Sequence, residues 1–243
     1  MSKKISVIVP AFNEEKLIAR SLRAITAAMD EFTRAGFANE LIVCDNNSTD
    51  RTAELARDEG ARVVFEPVNQ IARAHNTGAS EATGDWLVFV DADSFPSAEL
   101  FAAAARVMSD GQCVAGGSTV KMDHPTPPAA VATHLWNLVS RWKKWAAGSF
   151  IFCEALTFRA LNGFNEELFA SEEIDLFRRL NRRAKIDGRE IVILHRTPLV
   201  TSARKLRLYS QWEHLRLMGR ALLRPRATLK SRAECHIWYD GRR

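Results

Sequence analysis

Three features that place many proteins in a known class are absent from this sequence. No apolar run reaches the roughly 18 residues that a membrane-spanning helix needs. The four cysteines lie far apart with no C-x-x-C pair, so nothing indicates a zinc site or a disulfide framework. Neither glycine-rich phosphate-binding motif, G-x-G-x-x-G or G-x-x-x-x-G-K-[ST], is present. The phosphates of any nucleotide ligand must therefore be held in another way, for which a metal ion is the obvious candidate.

The cysteines and the charge distribution indicate where in the cell the protein is located. Reduced thiols are the simplest interpretation of scattered cysteines, and they are typical of the cytoplasm. Residues 196–243 contain 12 Lys or Arg against 3 Asp or Glu, whereas residues 1–195 contain 22 against 26. A basic segment suits anionic lipid, nucleic acid or an acidic partner, but a solvated basic helix fits equally well. We expect a cytoplasmic protein, with peripheral contact at the inner face of an anionic plasma membrane as an open alternative.

Strand-like and helix-like segments alternate in the first half of the chain. The predicted strands are Ile5–Val9, Leu41–Cys44, Arg62–Phe65 and Trp86–Val90. The predicted helices are Ile18–Phe32, with Asn13 as its cap, Asp50–Asp58, Ala72–Ala82 and Ser97–Met108. Alternating units of this size predict an α/β fold, in which helices sandwich a mixed, mainly parallel sheet.

The pattern is looser after Gly116-Gly117. A helix is predicted over residues 129–147, followed by a strand-like stretch at Phe150–Phe158. A second helix, capped by Ser171, runs to about Ala184, and Ile191–Leu194 is again strand-like. The basic segment is predicted to be helical from about Leu206 to Leu223, before Pro225.

The most informative motif is Asp91-Ala92-Asp93, which directly follows the apolar strand Trp86–Val90. Residues i and i+2 of an extended chain point the same way, so both carboxylates are expected to reach one ion. Oxygen ligands suit a hard cation such as Mg2+ or Mn2+. Because ligands bind at the carboxyl ends of strands in α/β sheets, the motif predicts a metal that neutralises a diphosphate.

Two strand-to-helix turns are further candidates for a binding site. Pro10-Ala11-Phe12 ends the first strand and, with Glu14, could place backbone groups and a carboxylate against a nucleoside. Asp45 directly follows the second strand, where its carboxylate could accept a base N–H. The alternative for Asp45 is that it only organises a polar turn.

In their order and approximate spacing, five segments resemble the family 2 glycosyltransferases with a GT-A fold. The segments are Val7–Glu15, Val43–Asp50, Ala72–Gly78, Asp91–Asp93 and Glu172–Leu176. The resemblance covers roughly residues 5–205 and implies a UDP- or GDP-linked sugar donor with Mn2+ or Mg2+ as cofactor.

The resemblance also implies a role for each matched residue. Pro10, Ala11, Phe12 and Glu14 would line the nucleoside pocket, Asp45 would face the base, and Arg73 and Asn76 would lie along the nucleotide. Asp93 would be the main metal ligand, with Asp91 and Ala92 beside the ribose or a metal-bound water. The sequence has Asn46-Asn47 where Asp-Gly is commoner in the family, so the identity of the base stays open.

On the acceptor side, the resemblance places Glu173 where the family usually has an aspartate that acts as general base. The extra methylene moves the carboxylate, although Glu and Asp have similar pKa values. Glu172 and Asp175 remain alternatives for the base. Asp175 could instead pair with Arg178 or Arg179.

Residues near position 200 leave other ligands open. His195 could be a third metal ligand, and Arg204 or Lys205 could contact the diphosphate. A packed histidine and a solvated basic pair fit these residues as well.

Three tryptophans beside cations mark the segment 136–145. Trp136, Trp142 and Trp145 near Arg141 and the following lysines suit a membrane interface. An acceptor-site helix or a core helix fits the same pattern.

Together these features predict a GT-A domain over residues 1–205 and a basic, helical extension over residues 206–243 that packs on the core or a membrane surface. The expected activity is metal-dependent, inverting transfer of a sugar to the hydroxyl of a glycan or lipid-linked acceptor of the cell envelope. The main alternative is a nucleotide-sugar-binding or membrane-associated partner protein without catalysis. A sugar nucleotidyltransferase ranks lower because its glycine-rich loop is missing. No nucleic-acid partner is expected, since no recognisable module is present.

Overall fold

The computed structural model describes residues 3–204, 220, 224–235 and 239. The predicted helix Leu206–Leu223 falls outside these residues except for Arg220, and the division at residue 205 stays a prediction. No helix among the described residues is long and apolar enough to cross a membrane.

Strands and helices alternate as expected through the first half of the chain. The strands are β1 (Lys4–Ala11), β2 (Ala38–Asp45), β3 (Arg62–Phe65), β4 (Trp86–Val90), β5 (Ser94–Phe95), β6 (Cys113–Met122), β7 (Phe150–Glu154) and β8 (Glu190–Thr201). The helices are α1 (Ile18–Arg34), α2 (Thr52–Asp58), α3 (Ile71–Ser80), α4 (Ala98–Ser109), α5 (Pro127–Lys143), α6 (Ala155–Ala160), α7 (Glu172–Ile186) and α8 (Pro225–Leu229).

The strands form one mixed sheet in the order β3-β2-β1-β4-β7-β6-β8-β5. The pairs β1–β2, β2–β3, β1–β4 and β6–β8 are parallel, whereas β7 and β5 pair antiparallel with their neighbours. The expected mixed, mainly parallel sheet is confirmed.

Apolar cores cover both faces of the sheet. Trp86, Val88 and Val90 of β4 pack in the core that contains the buried faces of α1 and α4. Leu87 and Phe89 pack in the opposite core, with α3 and α7. Because successive strand residues point to opposite faces, a strand buried on both faces reads as an unbroken apolar run.

Two local expectations are wrong, and a third, for Ser171, is correct only in position. Asn13 does not cap α1, because the helix begins at Ile18 and the Asn13 side chain instead accepts the N–H of Thr49 at 2.8 Å. The strand-like stretch Phe150–Phe158 is strand only to Glu154 and then turns into α6. Ser171 does precede α7, but its backbone is left-handed (φ 62°) and its side chain makes no capping hydrogen bond.

Strand β6 is absent from the sequence prediction, because its Gly116-Gly117 pair weakens the strand pattern. The glycines have a packing reason. A Cβ at Gly116 would clash with the Val192 carbonyl of β8, and a Cβ at Gly117 would clash with Ala146. The absence of side chains at these two positions thus lets β6 lie close to β8 and to Ala146.

Candidate functional site

Two cavities meet beside Asp91 and Asp93, at the carboxyl end of β4. Both cavities are lined by Ile71, Asp91 and Asp93. The first-turn cavity, of about 50 Å3, is also lined by Pro10, Ala11, Phe12, Glu14, Asn46, Asn69, Ala92 and Tyr239. The Glu173 cavity, of about 260 Å3, is also lined by Gly148, Ser149, Phe169, Ala170, Ser171, Glu172, Glu173, Thr201 and Ser202.

Asp91 and Asp93 lie in a tight turn. The Ser94 N–H donates to the Asp91 carbonyl at 3.1 Å, which closes the turn, and the Ser202 N–H donates to the Asp93 carbonyl at 3.0 Å. The expected extended geometry is therefore wrong. The turn nevertheless places both residues on both cavities, because it folds directly at the end of β4.

The residues at this turn fit a hard divalent cation that arrives with a phosphorylated ligand. No group of three His, Cys, Asp or Glu among the described residues could hold a metal ion. Mg2+ and related ions commonly bind through one or two carboxylates, with substrate phosphates and water completing the shell. Asp91 and Asp93 supply such a pair of carboxylates.

His195 is not brought to these carboxylates. It is exposed and lines two other cavities, one beside α4 and one beside α5. The structure therefore gives no support to a third ligand from His195.

The turn that follows β1 and contains Glu14 is held by residues from later in the chain. The buried Glu14 accepts a hydrogen bond from the Arg204 guanidinium at 2.5 Å, and its backbone N–H donates to Thr52 at 2.7 Å. The Nε and Nη1 atoms of Arg204 are buried and make no hydrogen bond within the described residues. Arg204 itself lines neither cavity, and Lys205 lies outside the described residues.

Asp45 is the last residue of β2 and lines neither cavity. Its Oδ1 accepts the N–H of Ser48 at 3.1 Å, which is the turn-organising arrangement. Its neighbour Asn46 lines the cavity and accepts the N–H of Gln70 at 3.1 Å. A contact between Asp45 and a base stays a prediction.

The side chains of Arg73 and Asn76 contact the segment that follows α6. Asn76 pairs reciprocally with the backbone of Phe164, with both hydrogen bonds at 2.9 Å. Arg73 forms an ion pair with Glu166 at 3.2 Å. Neither residue lines either cavity, so the structure does not place Arg73 and Asn76 where the sequence analysis expected a nucleotide.

The first turn of α7 supplies two acids to the Glu173 cavity, the buried Glu172 and the half-buried Glu173. Burial, with the charge of Asp91 as a smaller cause, raises the pKa of Glu173 to about 7. Burial raises the pKa of Glu172 well above its usual value, and the charges of Glu173 and Asp91 add to this. Asp175 points elsewhere and pairs with Arg179 at 2.8 Å. Glu172 and Glu173 therefore remain as candidates for the general base.

Gly148 lies opposite the Glu173 side chain. The nearest atoms to a Cβ at Gly148 would be Cγ and Cδ of Glu173, both at 3.9 Å. An alanine at this position would therefore be in van der Waals contact with the Glu173 side chain, so the glycine leaves room for about one methyl group there.

Tyr239 is a lining residue that sequence reasoning missed. Its hydroxyl donates to the Phe169 carbonyl at 2.9 Å, and its ring packs edge-on against Phe169. Burial raises its pKa above the ordinary value, with the charge of Glu172 as a further cause. No local pattern near residue 239 indicates this contact, because it depends on the return of the chain to the loop before α7.

Comparison with known families decides what kind of protein this geometry belongs to. Residues 6–162 match the family model described as glycosyl transferase family 2. The chain belongs to this family. The expected family membership is thereby confirmed.

Curated relatives match over shorter stretches. A 4,4'-diaponeurosporenoate glycosyltransferase of Staphylococcus haemolyticus is 36% identical over 99 residues, which is 38% of this chain and 24% of that protein. The glycosyltransferase AglE of Haloferax volcanii is 28% identical over 127 residues, which is 50% of this chain and 40% of that protein. The matches thus span less than half the length of these relatives.

Solved structures show the same fold. The mannosyltransferase PcManGT of Pyrobaculum calidifontis, in complex with GDP-Man and Mn2+, aligns with a TM-score of 0.66 at 20% identity, over 89% of this chain and 61% of that one. Glucosyl-3-phosphoglycerate synthase of Mycobacterium tuberculosis, in complex with Mn2+, UDP and glucosyl-3-phosphoglycerate, also gives 0.66 at 20%, over 96% and 80%. S. aureus TarS with UDP-GlcNAc gives 0.61 at 24%, over 82% and 58%. The expected GT-A fold is confirmed.

Proposed function

We propose that this protein transfers a sugar from a nucleoside-diphosphate donor to a hydroxyl acceptor. The observation that carries the proposal is the meeting of two cavities at Asp91 and Asp93, with the first turn on one side and Glu173 on the other. Bound GDP-Man and UDP-GlcNAc in two proteins of this fold support a nucleotide-sugar donor.

In this proposal the nucleoside binds in the first-turn cavity. Ligand pockets usually measure about 300 Å3 or more, so the present volume of about 50 Å3 is too small for a nucleoside. The lining must open, and Phe12 and Tyr239 are its aromatic members. Pro10, Ala11 and Glu14 form the fixed side, since Glu14 is tied to Thr52 and Arg204.

The diphosphate lies at the junction of the cavities. Asp93 and Asp91 would hold Mn2+ or Mg2+ there, which would offset the negative charge of the departing diphosphate. Arg204 contacts Glu14 of the cavity lining, so its Nε and Nη1 atoms, which are buried at present, could donate hydrogen bonds to phosphate oxygens once the lining opens. Proteins of this fold that contain Mn2+ support the choice of cation.

The acceptor hydroxyl lies in the Glu173 cavity, where Glu173 takes its proton. A carboxyl with a pKa of about 7 suits a general base that works near neutral pH. The oxygen then bonds to the anomeric carbon as the bond from that carbon to the diphosphate breaks. Direct displacement of this kind inverts the anomeric centre. A glycan or a lipid-linked acceptor fits this step.

A donor-binding protein without catalysis is the second candidate. It is favoured by Glu173 itself, because this residue stands where an aspartate is expected and its carboxylate is displaced by one methylene. A location in the cytoplasm or at the inner face of the membrane stays a prediction for both candidates.

The test is a thermal-shift screen of the full chain against UDP- and GDP-linked sugars, with and without Mn2+ or Mg2+, followed by an assay for transfer or donor hydrolysis. The wild type should be stabilised by one donor only when metal is present. Asp93→Asn should lose this stabilisation, whereas Glu173→Gln should keep it and lose turnover. Donor binding without turnover in the wild type would favour the second candidate, and a wild type with no donor response would contradict both.

A further inference from the structure

Helix α5 turns its apolar face away from the protein. Five large apolar residues are between 39% and 77% exposed, namely Val131, Leu135, Leu138, Val139 and Trp142. Their spacing of four, three, one and three residues places them on one face of a helix. A surface helix normally buries such a stripe against the core of its own protein. Here the stripe is exposed, so it could contact a binding partner.

The opposite face of α5 is held to the protein by Trp136, which packs against the apolar core beside α1 and α4, and by polar groups. The Asn137 side chain donates to the Val120 carbonyl at 2.9 Å and accepts the Val120 N–H at 3.0 Å. Ser140 is the one buried residue of the helix, and its hydroxyl donates to the Trp145 carbonyl at 2.5 Å. These bonds determine which face of α5 points outward, so the exposure of the apolar stripe is part of the fold.

Positive charge flanks the stripe and negative charge is absent from the helix. Residues Pro127–Lys143 contain no Asp or Glu. Successive helix residues are about 100° apart, so Arg141 and Lys143 lie on the two sides of Trp142. The Lys143 ammonium lies 3.8 Å from the centroid of a Trp142 ring. An apolar stripe with a tryptophan between two cations is the pattern of helices that lie in the interface of an anionic bilayer.

We propose that α5 docks on the surface of an anionic lipid bilayer, with its apolar stripe among the headgroups and Arg141 and Lys143 on lipid phosphates. Its 17 residues are fewer than the roughly 20 that span a bilayer, so the helix lies in the plane of the surface. The surplus of Lys and Arg in residues 196–243 adds attraction to the same anionic surface. An acidic protein partner would not explain the five exposed apolar side chains.

Docking through α5 would also orient the candidate site. The helix ends at Lys143, and Gly148 and Ser149, which line the Glu173 cavity, follow within six residues. A bilayer on α5 is therefore close in the chain to the cavity in which an acceptor is proposed to bind. The docking itself does not depend on the proposed transfer reaction, because lipid binding can be measured without a donor.

The test is sedimentation of the full chain with vesicles of phosphatidylcholine, alone or mixed with phosphatidylglycerol. The double variant L135E/W142E removes two exposed apolar side chains from the stripe. The matched control L156E/I186E makes the same kind of change at two residues outside α5 that are 80% and 79% exposed. We expect binding to the mixed vesicles, weakened at least about tenfold in L135E/W142E and unchanged in the control.

A second measurement separates insertion of α5 from attraction by the basic segment. The four native cysteines are buried, so V131C and L156C each offer one exposed thiol for an environment-sensitive fluorophore. The emission should shift to the blue on anionic vesicles at residue 131 and stay constant at residue 156. Equal vesicle binding by L135E/W142E and the wild type, or no shift at residue 131, would overturn the proposal. So would a wild-type dimer that ignores vesicles and becomes a monomer in L135E/W142E, because the face would then bind a second copy.

Discussion

Glu173 and Asp91 line one cavity, and the charge of Asp91 adds to the burial that holds the pKa of Glu173 near 7. Both effects disfavour the ionised form of a carboxyl group. In this arrangement the proposed base is half protonated near neutral pH. Its ionisation is therefore coupled to whatever neutralises Asp91.

The first prediction concerns the pH dependence of sugar transfer. A general base must be deprotonated, so kcat at saturating donor and Mn2+ should rise with pH and level off above the pKa of Glu173. A cation at Asp91 would offset its charge, which lowers this apparent pKa below the value without metal. The measurement is kcat against pH for the wild type and for Glu172→Gln, which should keep the rise. A flat profile from pH of about 5 to about 8 would remove Glu173 from the role of base.

The second prediction concerns the stability of the protein at different pH values. The pKa of the buried Glu172 is raised in the folded state, so above pH of about 4.5 the native state binds more protons than the unfolded state. Stability should therefore fall as pH rises, by up to about 1.4 kcal/mol per pH unit for this one group. Glu172→Gln removes the titration of this group and should make the dependence shallower, while the raised pKa of Glu173 keeps part of it.

Urea unfolding between pH 5 and pH 8, in roughly unit steps, measures this slope. Asp30→Asn is the control, because Asp30 is an exposed acid on α1. The prediction is wrong if Glu172→Gln and Asp30→Asn change the slope equally.

The third prediction concerns the ion pair between Arg204 and Glu14. Arg204→Met removes the guanidinium and leaves the buried Glu14 carboxylate without this partner. Breaking a buried ion pair from one side costs about 3 kcal/mol or more. The free energy of unfolding should fall by this order in Arg204→Met, and the double variant Glu14→Gln/Arg204→Met should recover most of the loss. Additive losses in the double variant would show that the two residues do not stabilise each other.

The parts of the fold that sequence analysis predicted are those with local signals. Strand Trp86–Val90 was predicted with its observed bounds, because burial on both faces leaves a continuous apolar run. Strand β6 was missed because Gly116 and Gly117 serve contacts with β8 and Ala146, and these contacts leave no periodic pattern in β6 itself. A glycine that is required by a contact between distant parts of the chain can be recognised only when the folded structure is known.

The same limit applies to the candidate site. Pro10, Ala11, Phe12 and Glu14 line the first-turn cavity, and their contact with a nucleoside stays a prediction. Asp45 and Asn76 match the family pattern equally well, but their side chains are bound to Ser48 and Phe164, respectively. Tyr239 enters the lining from far along the chain, so no spacing rule could have placed it.

The hydrogen bond from Arg204 to Glu14 joins residues 190 positions apart. During synthesis the first turn leaves the ribosome long before its partner exists, although domains usually begin to fold from their amino-terminal part. Contacts of such sequence separation form late and slow folding. A nascent chain that has folded its first strands would therefore lack this contact to Glu14 until residue 204 emerges, and the first-turn cavity would reach its final form only late in translation.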